Sequence, residues 1–220
     1  MSEGHSAERP TAKKFISLAL LARFNQNKIW TKNIVERFLL RTREDTFLFG
    51  KALGRLLESG DIIALIGDLG AGKTTLTQAI AQGMGIAEPV TSPTFTLVQE
   101  YGSDKNGTGT ALFHFDPYRL ENAEDVHDFG FEEYLEREGV MVIEWADKIA
   151  SLLPSARLTL TLREENITRD ALSADTHGAN YFEVDDTART IEIEAAGASC
   201  EQIVKQLSER PEIKNLRISE

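Results

Sequence analysis

An apolar strand, a glycine-rich turn and the start of a helix follow one another between Ile62 and Gln82, and that order constrains the chain more than anything else in it. Ile62-Ile63-Ala64-Leu65-Ile66 is a continuous apolar run, the pattern of a strand covered on both faces of a parallel sheet. Gly67-Asp68-Leu69-Gly70-Ala71-Gly72-Lys73-Thr74-Thr75 follows and contains G-x-x-x-x-G-K-[ST]. Leu76 to Gln82 then continues with helical character. Glycines let such a turn bend until several N–H groups point at one place, and the helix N-terminus behind it adds partial positive charge. The turn is therefore read as a phosphate cradle, with Lys73 reaching the β- and γ-phosphates and the Thr74 hydroxyl on Mg²⁺. The expected ligand is a nucleoside triphosphate.

Around this segment the chain reads as one α/β domain with appendages, since 220 residues exceed a typical single domain only modestly. The expected fold is a three-layer sandwich of the P-loop NTPase type. Its sheet would be mixed but mostly parallel, with helices on both faces and antiparallel strands added. A helix capped by Asp45 or Thr46 and stopped by Gly60 is predicted before the strand at 62–66. The helix after the turn is predicted to end at Gly83–Gly85. Segments 96–101 and 111–116 flank the turn-forming 103–110 and read as a hairpin. Short helices are expected within 121–135 and at 146–153. Strands are expected at 140–145, 158–162 and 190–194, with a surface loop from Arg163 to Asn180.

Residues 1–40 read as an extension, partly helical or disordered, with seven basic residues against three acidic ones. Residues 41–196 form the expected ATPase domain, and 197–220 a helical tail with a short strand near 216–218. The extension contains Lys13-Lys14 before the apolar stretch 15–22. That run is too short for a membrane span, which needs about 20 apolar residues, so no membrane association is expected. A net charge of −11 argues against broad nucleic-acid binding, and no DNA partner is expected. The single cysteine, Cys200, rules out an intramolecular disulfide. The four histidines (His5, His114, His127, His177) show no metal-ligand spacing. A reducing, ATP-containing cytoplasmic setting is expected.

Hydrolysis requires acidic groups near the metal and something to orient water. Glu144 ends the apolar run Val140–Ile143, and Asp116 ends His114-Phe115-Asp116. Ligands of α/β folds bind at the C-terminal edge of the strands, where both carboxylates fall. The hydroxyls of Thr91, Ser92 and Thr94 lie in a proline-fixed turn after the loop helix, a place where switch segments sense the γ-phosphate.

Taken together, GDLGAGKTT at 67–75, SPTFTLVQEY at 92–101, HFDPYRL at 114–120 and IEW at 143–145 make the chain closely resemble the TsaE (YjeE) family of small P-loop ATPases. The resemblance spans roughly Thr42 to Glu194. It implies an ATP hydrolase, slow without partners, that binds the TsaB–TsaD pair. That pair transfers a threonylcarbamoyl group to the tRNA adenosine beside the anticodon, so tRNA is reached indirectly. By the same resemblance Asp68, Leu69, Gly70, Ala71, Gly72, Lys73, Thr74 and Thr75 form the ATP cradle, and Thr74 with Glu144 holds Mg²⁺. Lys73, Asp116 and Glu144 serve hydrolysis, Trp145 lies beside the site, and Thr42 and Arg189 contact the nucleotide from outside the loop. Pro117 stands where many relatives carry an aliphatic residue. The alternative is a small-molecule or nucleoside kinase, but no arginine-bearing lid is visible. No guanine-reading N-K-x-D element follows Trp145, which favours ATP over GTP.

Overall fold

A computed structural model of the chain describes residues 34–102, 109–165 and 188–218. Seven strands form one sheet: β1 (Ile34–Leu40), β2 (Ile62–Ile66), β3 (Val98–Tyr101), β4 (Leu112–Phe115), β5 (Val140–Glu144), β6 (Arg157–Glu165) and β7 (Ala188–Ala196), in the order β1-β7-β6-β2-β5-β4-β3. The four central strands β6, β2, β5 and β4 pair in parallel, and the flanking pairs are antiparallel. The expected α/β sandwich, mixed but mostly parallel, is what forms, and β3 with β4 makes the expected hairpin.

Sequence pattern follows burial. β2 and β5 lie between two covered faces, so both read as unbroken apolar runs. One face packs against α1 (Arg43–Gly54) and α2 (Lys73–Gly83), the other against α3 (Phe131–Glu136) and 3₁₀ turns at Ala123–Phe129 and Ala146–Leu152. β6 and β7 bury one side only, and their residues alternate: Leu158, Leu160, Leu162, Ile191, Ile193 and Ala195 point into the core.

α1 and α2 approach closely because glycine lines their contact. A Cβ at Gly54 would lie 2.2 Å from the carbonyl oxygen of Ile80, so no larger residue fits without moving a helix. The cap of α1 differs from expectation. Thr42 is the N-cap, accepting from the Asp45 amide at 3.1 Å, while the Asp45 carboxylate accepts from the Thr42 amide at 3.2 Å. This reciprocal capping box starts the helix before either predicted cap residue. α1 also stops at Gly54 rather than Gly60; Gly60, at φ +95°, turns the chain into β2. The glycine stop of α2 is as expected, with Met84 as C-cap and Gly85 at φ +86°.

The division at residue 40 runs through the sheet. Ile34–Leu40, grouped by sequence with the basic extension, is β1, paired along its length with β7. Glu36 and Arg37 disguise the strand: Phe38 and Leu40 are buried, while Arg37 pairs with Glu192 and Glu36 with Arg217. The tail, α4 (Ala198–Glu209) and α5 (Pro211–Lys214), packs Ile203, Val204, Leu207 and Ile213 into the same core as α1. Its predicted terminal strand is a single antiparallel bridge, Phe38 to Arg217. β6 extends through Arg163–Glu165, which the sequence assigns to a loop. The rest of that loop, most of the 103–110 turn and the extension before residue 34 lie outside the described residues.

Candidate functional site

The C-terminal ends of β2, β4, β5 and β6 and the N-terminal end of β7 meet at one edge of the sheet. The glycine-rich turn leaves β2 there. Gly67, Gly70 and Gly72 have φ of +152°, +87° and +94°, conformations that L side chains adopt only at a cost. At Gly67 a side chain is excluded by space as well, since a Cβ would lie 2.6 Å from the Leu162 carbonyl oxygen; at Gly72 a Cβ would lie 3.0 Å from Arg189 Nε, which would have to give way. Gly72 is also the N-cap of α2 and supplies no side chain to the helix end. Leu69 stands out at 77 % exposure, flanked by exposed Gly70, while Ala71 is buried.

Lys73 is the first residue of α2 and is almost wholly buried. Its Nζ donates to the carbonyls of Gly67 at 2.7 Å and Asp68 at 2.8 Å, and lies 3.5 Å from the centroid of the Trp145 ring. Burial pulls its pKa below the ordinary lysine value, against the opposing pull of Glu144, Asp116, Asp147 and Asp68. Trp145 reaches this place because its backbone is left-handed, φ +52° and ψ +38°, which turns the chain sharply at the end of β5. Its ring also packs against Tyr118 at 4.8 Å.

Thr74 and Glu144 meet although 70 residues separate them: Thr74 Oγ1 donates to Glu144 Oε2 at 3.0 Å. The other oxygen, Oε1, lies 2.8 Å from His114 Nε2. Glu144 and His114 are both buried. His114 had no role in the sequence reading. Its signal is positional: it shares a face of β4 with Asp116, and its register partner Val142 shares that face of β5 with Glu144.

Asp116 follows β4 as Glu144 ends β5, and it is buried too. Its Oδ2 accepts from Ser92 Oγ and Thr94 Oγ1, each at 2.6 Å, and its Oδ1 accepts from the Tyr118 amide at 3.1 Å. Two of the three predicted turn hydroxyls thus converge on the carboxylate. Thr91 does not: its backbone is held by Tyr101, whose hydroxyl accepts from the Thr91 amide at 3.1 Å and lies 3.2 Å from its carbonyl. The turn ends at Leu97, left-handed at φ +67°, whose carbonyl accepts from the Asp116 amide at 2.9 Å.

Arg189 is the second residue of β7 and its Nε donates to the Ala71 carbonyl at 2.8 Å, bracing the turn from outside. With Gly72, Thr75, Arg43 and Thr46 it lines a recess of about 70 Å³. Thr42 does not line that recess; its side chain is engaged in the cap of α1. Arg43 and Thr46, its neighbours on α1, do line it; the sequence did not single them out as site residues.

Among the described residues no three His, Cys, Asp or Glu side chains are grouped to hold a metal ion. The oxygen pair of Thr74 and Glu144 suits Mg²⁺ nonetheless, because that ion is held by one or two protein oxygens with phosphates and water completing its shell.

The family model described as threonylcarbamoyl adenosine biosynthesis protein TsaE matches residues 40–171. The tRNA threonylcarbamoyladenosine biosynthesis protein TsaE of Treponema pallidum is 45 % identical over 127 residues, covering 58 % of this chain and 90 % of its own length. The protein of the same name from Bacillus subtilis is 34 % identical over 172 residues, covering 78 % and 93 %. The crystal structure of Bacillus subtilis YdiB superposes with a TM-score of 0.60 at 29 % identity, covering 81 % of this chain and 97 % of that one.

Proposed function

The chain belongs to the TsaE family of threonylcarbamoyl adenosine biosynthesis proteins, and from that premise we propose that it is a Mg²⁺-dependent ATPase of the cytoplasm. It would bind a TsaB–TsaD pair and support transfer of the threonylcarbamoyl group to the tRNA adenosine beside the anticodon, touching tRNA through that pair. The observation that carries the reading is the 3.0 Å contact of Thr74 with Glu144. It sets a hydroxyl and a carboxylate side by side where the glycine-rich turn opens.

In this reading the turn amides and Lys73 bind the triphosphate, the ammonium exchanging the carbonyls of Gly67 and Asp68 for phosphate oxygens. A neighbouring polyanion favours the charged lysine and offsets the effect of burial. Thr74 and Glu144 would hold Mg²⁺, which when bound would supply charge neutralisation to the phosphates. Asp116 orients the attacking water once one of its hydroxyl partners has moved away. Arg43, Thr75 and Arg189 edge the turn on the side where the part of the nucleotide beyond the phosphates would emerge.

Phosphate release from ATP by the purified full-length protein, with and without TsaB–TsaD, tests this. Slow release alone, stimulation by the pair and an ATP-dependent complex are the expected results. Lys73→Ala should abolish productive nucleotide binding. Absence of an ATP-dependent complex overturns the partner, and γ-phosphate passed to an added nucleoside or small-molecule acceptor overturns hydrolysis in favour of a kinase.

A further inference from the structure

His114 is fully buried in β4, whose other members, Leu112, Phe113 and Phe115, are apolar. Its Nε2 meets Glu144 Oε1 at 2.8 Å, while Glu144 Oε2 accepts from Thr74 at 3.0 Å. The two partners come from different elements, a core strand and the first turn of α2, and each takes one oxygen. Nδ1 of His114 has no hydrogen-bond partner among the described residues. A carboxylate oxygen accepts, so Nε2 donates, and the partnerless Nδ1 is best left as a bare lone pair.

As core packing alone this is a poor choice of residue, because its Nδ1 is left unpaired; its Nε2 is needed only because the buried Glu144 Oε1 requires a donor. What the imidazole supplies is orientation. Glu144 has a flexible two-methylene stem, and a donor fixed by the surrounding core holds its carboxylate in one rotamer with Oε2 turned toward Thr74. We propose that His114 is a positioning residue for Glu144, fixing Oε1 so that Oε2 and Thr74 Oγ1 present themselves to the metal together. This rests on the metal-holding role given to Glu144 above. Donors behind metal-binding groups commonly act in this way.

The test compares His114→Leu, His114→Gln and Glu144→Gln in the full chain. Mn²⁺ is the probe, its affinity read by electron paramagnetic resonance in the presence of a non-hydrolysable ATP analogue, with thermal unfolding measured alongside. His114→Leu, which strands the buried Glu144 Oε1, should unfold somewhat earlier than wild type and bind Mn²⁺ about 10–100-fold more weakly. His114→Gln, whose amide can donate to Oε1, should recover most of the affinity. If His114→Leu binds Mn²⁺ like wild type while Glu144→Gln does not, the positioning role is wrong and the metal role of Glu144 survives. If Glu144→Gln also binds like wild type, both are wrong. A wild-type measurement decides the matter should His114→Leu fail to fold. The His114 imidazole nitrogen resonances should shift when Mg²⁺ is added to the analogue complex, and an unchanged Nε2 signal overturns the proposal.

Discussion

The ends of β5 and β4 present the same chemistry wired in two different ways. Glu144 and Asp116 lie on neighbouring parallel strands, each one residue beyond the paired Ile143 and Phe115, and both are buried. Beside each stands a non-glycine residue in the left-handed region, Trp145 next to Glu144 and Leu97 hydrogen-bonded to Asp116. The partners differ. Glu144 is held from inside the molecule, by a fully buried histidine and the first turn of α2. Asp116 is held from outside, by Ser92 and Thr94 on an exposed turn that also carries Phe95 at 85 % exposure. A group tied to the core keeps its place through a cycle, whereas one tied to a surface turn can change partners by local opening. The difference suits a fixed metal holder beside a water-orienting group whose access is gated.

The largest expected effect breaks the interior side. Glu144→Ala should lower kcat by about 10²–10³-fold, as loss of a preorganised electrostatic group does, and rates should cease to respond to Mg²⁺. Wild-type turnover in this variant would reassign the metal. Asp116→Asn should lower kcat by about 10²-fold, the low end for loss of an acid–base group, while leaving metal affinity and nucleotide affinity near wild type; a lost metal response would erase the distinction between the two carboxylates. Ser92→Ala combined with Thr94→Ala should speed hydrogen exchange of the 92–97 amides at least about tenfold, since hydrogen bonds to a charged group are worth roughly 1.5–3 kcal/mol each. Exchange in β5 should stay unchanged, and equal loosening of both regions would show that they open as one unit. The smallest effect is expected from Trp145→Gly. Glycine relieves a left-handed conformation that costs an L residue roughly 1–2 kcal/mol, offsetting the lost packing on Tyr118, so the melting temperature should barely move. Nucleotide affinity should fall a few-fold, because the ring no longer confines Lys73.

The parts legible in the sequence are those where a local pattern and its burial coincide. β2, the glycine-rich turn and α2 are contiguous, and β5 announces itself as an apolar run ending in a carboxylate. β1 was hidden because Glu36 and Arg37 interrupt it, and their partners, Arg217 and Glu192, lie more than 150 residues away. The start of α1, expected at Asp45 or Thr46, was misplaced because Asp45 serves the cap from inside the helix, and only its reciprocal hydrogen bonds with Thr42 reveal that. Arg43 and Thr46, two walls of the recess beside the glycine-rich turn, were not singled out as site residues either. His114 was in plain view but carried no spacing signal. Its role depends on the parallel register that sets Val142 opposite it and Glu144 one step along the same face. Register between strands 28 residues apart in sequence is a property of the assembled sheet.

The central claim, that the interior carboxylate holds the metal and the loop-tied one does not, is tested most directly by Mn²⁺ affinity in the complex with a non-hydrolysable ATP analogue, measured for Glu144→Gln and Asp116→Asn side by side. A loss of about tenfold or more in Glu144→Gln, with Asp116→Asn close to wild type, is the expected result. Equal losses in the two variants, or a loss confined to Asp116→Asn, would contradict it.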